Sequence, residues 1–134
     1  MAVALKPKVN ECGGVGAIAW NGTAQAARAG QSAMPIITRA YEVNVLTCES
    51  TRTEPTAGDE LAEYLGWWGV SPKVISFPPG SVGAGASLLA HAQDVNADML
   101  ISGAYSHSRL MQTVLGGVTS ALMDDADIPV FFSH

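Results

Sequence analysis

Residues 99–119 read MLISGAYSHSRLMQTVLGGVT, and the order of residue types in this stretch decides the fold class. Met99, Leu100 and Ile101 form a short continuous apolar run, as strands buried on both faces of a parallel sheet do. Gly103 follows, where the chain can turn tightly and a ligand can approach the backbone. Residues 108–115 have the length for about two helical turns. Gly116, Gly117, Val118 and Thr119 then open a further helix. The first N–H groups of a helix have no partner inside it, so they form a nest for an anion. The Thr119 hydroxyl is a further donor, and Arg109 is the only Lys or Arg after Lys73. The whole is a cradle for a di- or triphosphate built mostly from main chain, which needs little net positive charge.

Outward from that stretch the text alternates between two periods. Residues 15–20 are a short apolar run, and Asn21, Gly22 and Thr23 make a turn with a helix N-cap candidate. Ala24, Ala27, Gly30, Ala33 or Met34, and Ile37 recur at helical spacing, with Pro35 placed to interrupt the helix. Val43, Val45 and Leu46 mark a second strand. Leu61, Tyr64 or Leu65, and Trp68 form a second helical stripe that Gly69 stops. Residues 70–77 predict a third strand, and Pro72 assigns it to a sheet edge because proline has no N–H to give a ladder. Leu88, Leu89, Ala92 and Val95 are one face of a third helix, and residues 128–132 are the last strand. Five strands separated by helical segments predict an α/β fold: a doubly wound five-stranded parallel sheet with helices on both faces, Rossmann-like. Ligands of such folds bind outside the carboxyl ends of the strands, so the site is sought after Trp20, Cys48, Phe77 and Gly103.

The chain has 134 residues, the size of one domain, and 48% of them are hydrophobic, enough for a core. Residues 15–134 read as the domain and residues 1–14 as a leader or linker. Net charge is −5 with the Lys and Arg residues scattered, which excludes an extended nucleic-acid footprint. No apolar run reaches the roughly 18 residues of a membrane span, and the first residues are too short an apolar run for a signal peptide. A cytoplasmic protein is expected. Charged residues are only 14% of the chain against roughly 25% in an average domain, a hint that another subunit covers part of the surface. Cys12 and Cys48 are the only cysteines and belong to no metal-binding spacing, so no metal site is expected. Two reduced thiols are the preferred reading, with a disulfide left open by counting alone.

Residues 102–132 resemble the carboxyl half of a universal stress protein domain. The family pattern is Gly, two residues, Gly, nine residues, Gly, then Ser or Thr. Here those positions hold Gly103, Ser106, Gly116 and Gly117, followed by Val118 and Thr119 and closed by the apolar residues 128–132. Upstream, residues 18–23 resemble the family's first strand and turn, with Asn21 where the family usually has Asp. Residues 98–103 resemble the strand before the motif. The likeness implies strand order 3-2-1-4-5 and binding of ATP, with Mg²⁺, or of a related nucleotide. By the same likeness Asn21 sits near the adenosine, Leu46 with Thr47 lies by the base, and Gly103, Ser106, His107, Arg109, Gly116, Gly117, Val118 and Thr119 surround the phosphates. It further implies a homodimer paired through Val130, Phe131 and Phe132, which would hide an apolar sheet edge. The text most resembles the second repeat of tandem members, and the resemblance implies that the leader is a remnant of that arrangement.

Two motif positions differ from the pattern. Ser106 adds a Cβ where the family has glycine, which costs roughly 1 kcal/mol if that position needs a positive φ. Gly117 lacks the hydroxyl of Ser or Thr, worth roughly 0.5–1.5 kcal/mol to a phosphate. The expected function is therefore nucleotide binding with a regulatory or signalling output in a stress response. The alternative is a nucleotide-free dimeric interaction module of the same fold. Weak ATP hydrolysis is a third reading without a carboxylate near the motif to support it, so no residue is assigned a catalytic role. His107 reads as a loop residue in reach of phosphate and His91 as a helix-surface residue. Trp67 and Trp68 read as partly core and otherwise as a partner patch. Asp124, Asp125 and Asp127 read as a solvated acidic corner, and residues 80–85 as a glycine connector with Ser81 or Ser87 capping the next helix.

Overall fold

The computed structural model describes residues 2–4, 14–50, 53–103 and 117–133. Its strands are β1 (Ala2–Ala4), β2 (Val15–Ala19), β3 (Glu42–Cys48), β4 (Lys73–Phe77), β5 (Met99–Gly103) and β6 (Val130–Ser133). Its helices are α1 (Ala24–Ser32), α2 (Met34–Ile37), α3 (Ala57–Gly66), α4 (Ala84–Asp94) and α5 (Gly117–Asp125). The strands form one sheet in the order β1-β6-β5-β2-β3-β4. β2 to β6 are mutually parallel. Counting only these five, the order is 3-2-1-4-5, as the resemblance implies.

Both faces of the sheet are covered, and consecutive residues of each strand serve opposite cores. Ile18, Val45, Ile101 and Phe131 pack with Ala29, Ile37, Leu61 and Leu65 of α1, α2 and α3. Ala17, Leu46, Leu100 and Phe132 pack with Leu88 and Ala92 of α4 and Leu122 of α5. This is why the sequence shows unbroken apolar runs in place of alternation.

Three local features differ in detail from the sequence reading. The buried residues of α1 are Ala26, Ala29 and Gly30, while Ala24 is exposed. Thr23 sets that register, since its Oγ1 accepts a hydrogen bond from the Ala26 N–H at 3.2 Å. A stripe of alanines is nearly the same when slid by two positions, so its apolar pattern could not choose. Pro35 lies in the first turn of α2, where its missing N–H breaks no helical bond. β4 begins only at Lys73, after Pro72, and is the edge strand that the proline demanded.

The largest difference lies at the amino end. Residues 1–14 read as a leader, yet Ala2–Ala4 form a sixth strand. It pairs antiparallel with β6 in the register Ala2 with Phe132, Val3 with Phe131 and Ala4 with Val130. The chain's own backbone therefore covers the outer edge of the apolar last strand. Among the described residues, no helix is long and apolar enough to cross a membrane.

Candidate functional site

From β2 the sheet grows one way to β3 and β4, and from β5 it grows the other way to β6. The crevice beyond the carboxyl ends of β2 and β5 is therefore the place where an α/β sheet binds ligands. The loop after β2 and the ends of β3 and β5 border it, and α5 starts on the same side of the fold.

The loop after β2 is held on two sides. The Trp20 N–H donates to the Leu46 carbonyl at 2.9 Å. The Trp20 indole Nε1 donates to the Ala57 carbonyl, also at 2.9 Å. Asn21 is exposed, and its Oδ1 accepts from both the Thr23 N–H (3.1 Å) and the Thr23 hydroxyl (2.7 Å). Its acceptor is thus engaged inside its own turn, which leaves its amide N–H₂ as the group able to donate. Asp in this place would accept only. Asn21 accordingly suits an acceptor on a base or ribose.

Leu46, which the resemblance sets with Thr47 by the base, lies one residue before the end of the core segment of β3. Its side chain is fully buried in the α4 and α5 core, and its carbonyl is occupied by Trp20. Thr47 is equally buried on the other face, beside Gly58. The residue of this strand end that presents a side chain is Cys48, two positions past Leu46 and on the same face. It is half-buried, with Ala19 and Val118, against the core that holds Leu46. The period of two along a strand was the available signal for it. The Cys48 thiol is free. Burial, and then the neighbouring Glu49 charge, push its pKa above the usual thiol value. Only the thiolate attacks electrophiles. Iodoacetamide at pH 8 is therefore expected to label Cys48 several-fold more slowly than a free cysteine peptide, with the rate still climbing above pH 9. Peptide mapping by mass spectrometry separates it from Cys12.

Gly103 closes β5, and its role is specific. A Cβ there would lie 2.6 Å from the Ala26 backbone N and 2.7 Å from the Gln25 carbonyl carbon. The first turn of α1 rests directly on this residue. A second such contact sets α5: a Cβ on Gly85 would lie 2.7 Å from the Ala121 Cβ and 3.3 Å from the Val118 Cα. The absent side chain at Gly85 lets α4 and α5 cross closely and positions the start of α5. The connector read over residues 80–85 ends at Gly83, with Ala84 and Gly85 in the first turn of α4, and neither Ser81 nor Ser87 caps the helix. Gly83 is the N-cap, and the Ser87 hydroxyl accepts from the Gly80 N–H at 2.9 Å.

α5 begins at Gly117, so Gly117, Val118 and Thr119 form its first turn. The first N–H groups of a helix lack helical partners and carry the positive end of its dipole. Ser106, His107, Arg109 and Gly116 lie outside the described residues, as do residues 108–115. His91 differs from its expected surface role. Its ring stacks on Phe77, with centroids 3.7 Å apart and planes within 9°, and its Nδ1 lies 2.8 Å from the Ser87 carbonyl. A carbonyl only accepts, so Nδ1 carries the proton. Among the described residues, no group of three or more His, Cys, Asp or Glu side chains is arranged to hold a metal.

No protein-family model matches the chain, and no curated protein matches it significantly. Solved structures do. A universal stress protein from Archaeoglobus fulgidus DSM 4304 superposes with a TM-score of 0.75 over 94% of this chain, at 19% identity. The fold is that of the universal stress proteins. Universal stress protein UspA from Lactobacillus plantarum gives a TM-score of 0.62 at 18% identity, covering 93% of this chain and all of its own. A universal stress protein in complex with cAMP gives 0.61 at 17% identity, covering 90% of this chain and 96% of its own. This chain spans 47% of the Archaeoglobus protein, about half its length.

Proposed function

We propose that the chain binds ATP or a related adenine nucleotide in the crevice beyond β2 and β5, and that binding carries a regulatory signal in a stress response. The observation behind this reading is the place of α5, whose described residues start at Gly117 beside the start of α4, on the carboxyl-end side of the sheet where helix-start amides can seat an anion. The parts present suit the ligand. Asn21 offers an amide donor to the adenosine, Ala19, Cys48 and Val118 an apolar rest, and the amides of Gly117, Val118 and Thr119 an anion seat. Ser106, His107, Arg109 and Gly116 complete the phosphate side by their place in the motif, and Mg²⁺ would accompany a triphosphate. A similar fold in complex with cAMP is consistent with a nucleotide as the guest.

Calorimetric titration with ATP and Mg²⁺, and separately with cAMP, tests the reading. Saturable binding below millimolar concentration is expected, and no heat up to that limit with either nucleotide overturns it. Gly117→Ser restores the hydroxyl that the motif lacks, at a helix start where serine is favoured. It is expected to tighten ATP about tenfold, the worth of one hydrogen bond to a charged phosphate. A homodimer through β6 is part of the same proposal. It requires Ala2–Ala4 to leave the edge that they cover.

A further inference from the structure

Trp67 and Trp68 follow the last residue of α3 and are 84% and 57% exposed, and Tyr64, one turn earlier, is 39% exposed. Three large aromatic rings in water on one short element are unusual, because such rings normally supply burial to a core or an interface. They do not stand alone. Asp59, Glu60 and Glu63 are exposed on the same helix, and α3 carries no Lys or Arg.

At about 100° per residue, Glu60, Glu63 and Tyr64 fall in one arc of about 100° on α3. Trp67 and Trp68 continue from its end in a tighter turn, their N–H groups donating to the Tyr64 and Leu65 carbonyls at 3.1 and 3.0 Å. That arc lies off the face buried by Leu61 and Leu65. Glu60, Tyr64 and Trp67 stand at i, i+4 and i+7, and Glu63 stands four before Trp67, so carboxylates and rings are neighbours along the flank. Because α3 leads from the carboxyl end of β3 to the amino end of β4, its tryptophans lie at the end of the sheet opposite the nucleotide crevice.

We propose that this flank of α3 docks an arginine-bearing, partly apolar segment of a partner protein. A guanidinium lies flat on an indole and is weakly hydrated, and it pairs with a carboxylate through a fork of donors. Rings and carboxylates alternating on one helical flank match those two demands together. The net charge of −5 draws such a segment in. A second copy fits poorly, since two-fold pairing of this flank would set its carboxylates against their own copies. The carboxylates likewise oppose an anionic membrane surface.

The test uses the full chain and an amphipathic Leu/Arg peptide, followed by tryptophan fluorescence and calorimetry. Trp20, tied at its indole N–H, is a constant background. Saturable binding is expected that weakens with salt, and weaker binding of a Leu/Lys peptide. A Leu/Glu peptide is expected not to bind. Trp67→Ala with Trp68→Ala should weaken binding at least about tenfold. Glu60→Gln with Glu63→Gln should weaken it about fivefold and flatten the salt dependence, with unchanged melting. The second variant keeps the test decisive if the first folds poorly. The proposal is overturned by absence of Leu/Arg binding, by binding that neither variant weakens, or by equal binding of the Leu/Glu peptide. Tryptophan-dependent binding to phosphatidylcholine vesicles without peptide binding also overturns it, in favour of a lipid surface. Nucleotide affinity should be the same in both variants, so this result and that of the nucleotide titration are read separately.

Discussion

Gly103→Ala is expected to destabilise the fold by about 2–3 kcal/mol, the upper part of the range for forcing a methyl group into a filled site. The three atoms nearest the new Cβ, at 2.6, 2.7 and 3.0 Å, all belong to the backbone of Gln25 and Ala26. No side chain can rotate away. The first turn of α1 must lift off the end of β5, and that shift loads the Thr23 cap and the turn at Asn21. For a chain of this size each kcal/mol moves Tm by about 3–5 °C, so a fall of about 10 °C is expected by calorimetry. Gly30→Ala is the control. It lies inside α1 with nothing within 4 Å of its added Cβ, and it should stabilise by about 0.5–1 kcal/mol through helix propensity. A Gly103→Ala protein as stable as the parent would mean that α1 does not rest on β5 as described.

Gly85→Ala should cost about 1–3 kcal/mol by the same steric argument, and it carries a functional consequence that Gly103→Ala shares less directly. The obstructing atoms are the Ala121 Cβ at 2.7 Å and the Val118 backbone at 3.3 and 3.4 Å. Relief requires α5 to move away from α4, and Val118 belongs to the turn proposed to seat the phosphates. ATP affinity is therefore expected to fall about tenfold or more while the protein is still folded at 25 °C, as an orienting contact shifted by a fraction of an ångström allows. Titration well below the melting point separates this loss from instability. Unchanged affinity together with lower stability would uncouple the α4 and α5 crossing from the nucleotide site.

These two glycines show how far the residues could be read unaided. The strand ending at Gly103 was plain from the unbroken run Met99, Leu100 and Ile101, and the parallel sheet followed from several such runs. The reason for the glycine was not plain. Locally it reads as room for a ligand, whereas the structure puts the backbone of α1 there, and no local pattern announces a contact so far upstream. Residues 80–85 read as a glycine connector, and the structure gives Gly85 a helix crossing to serve. Leu46 was set by the base through the family likeness alone, and nothing local tells whether its side chain faces core or crevice. The strand runs two residues further, so Cys48 takes the outer position and Leu46 the core. The stack of His91 on Phe77 joins two elements whose approach only the fold decides. Ala2–Ala4 were too few and too plain to signal a strand, because a lone three-residue strand acquires meaning only from the ladder that receives it.

That borrowed ladder would make the proposed association at β6 an exchange. The incoming chain finds the backbone groups of Val130, Phe131 and Phe132 already satisfied, so few hydrogen bonds are gained in total. The resident strip is also tethered, which gives it a local concentration of the order of millimolar against any free competitor. The proposed self-assembly would then turn on how firmly three residues hold their post, and mass by light scattering should rise when Ala2–Ala4 are removed.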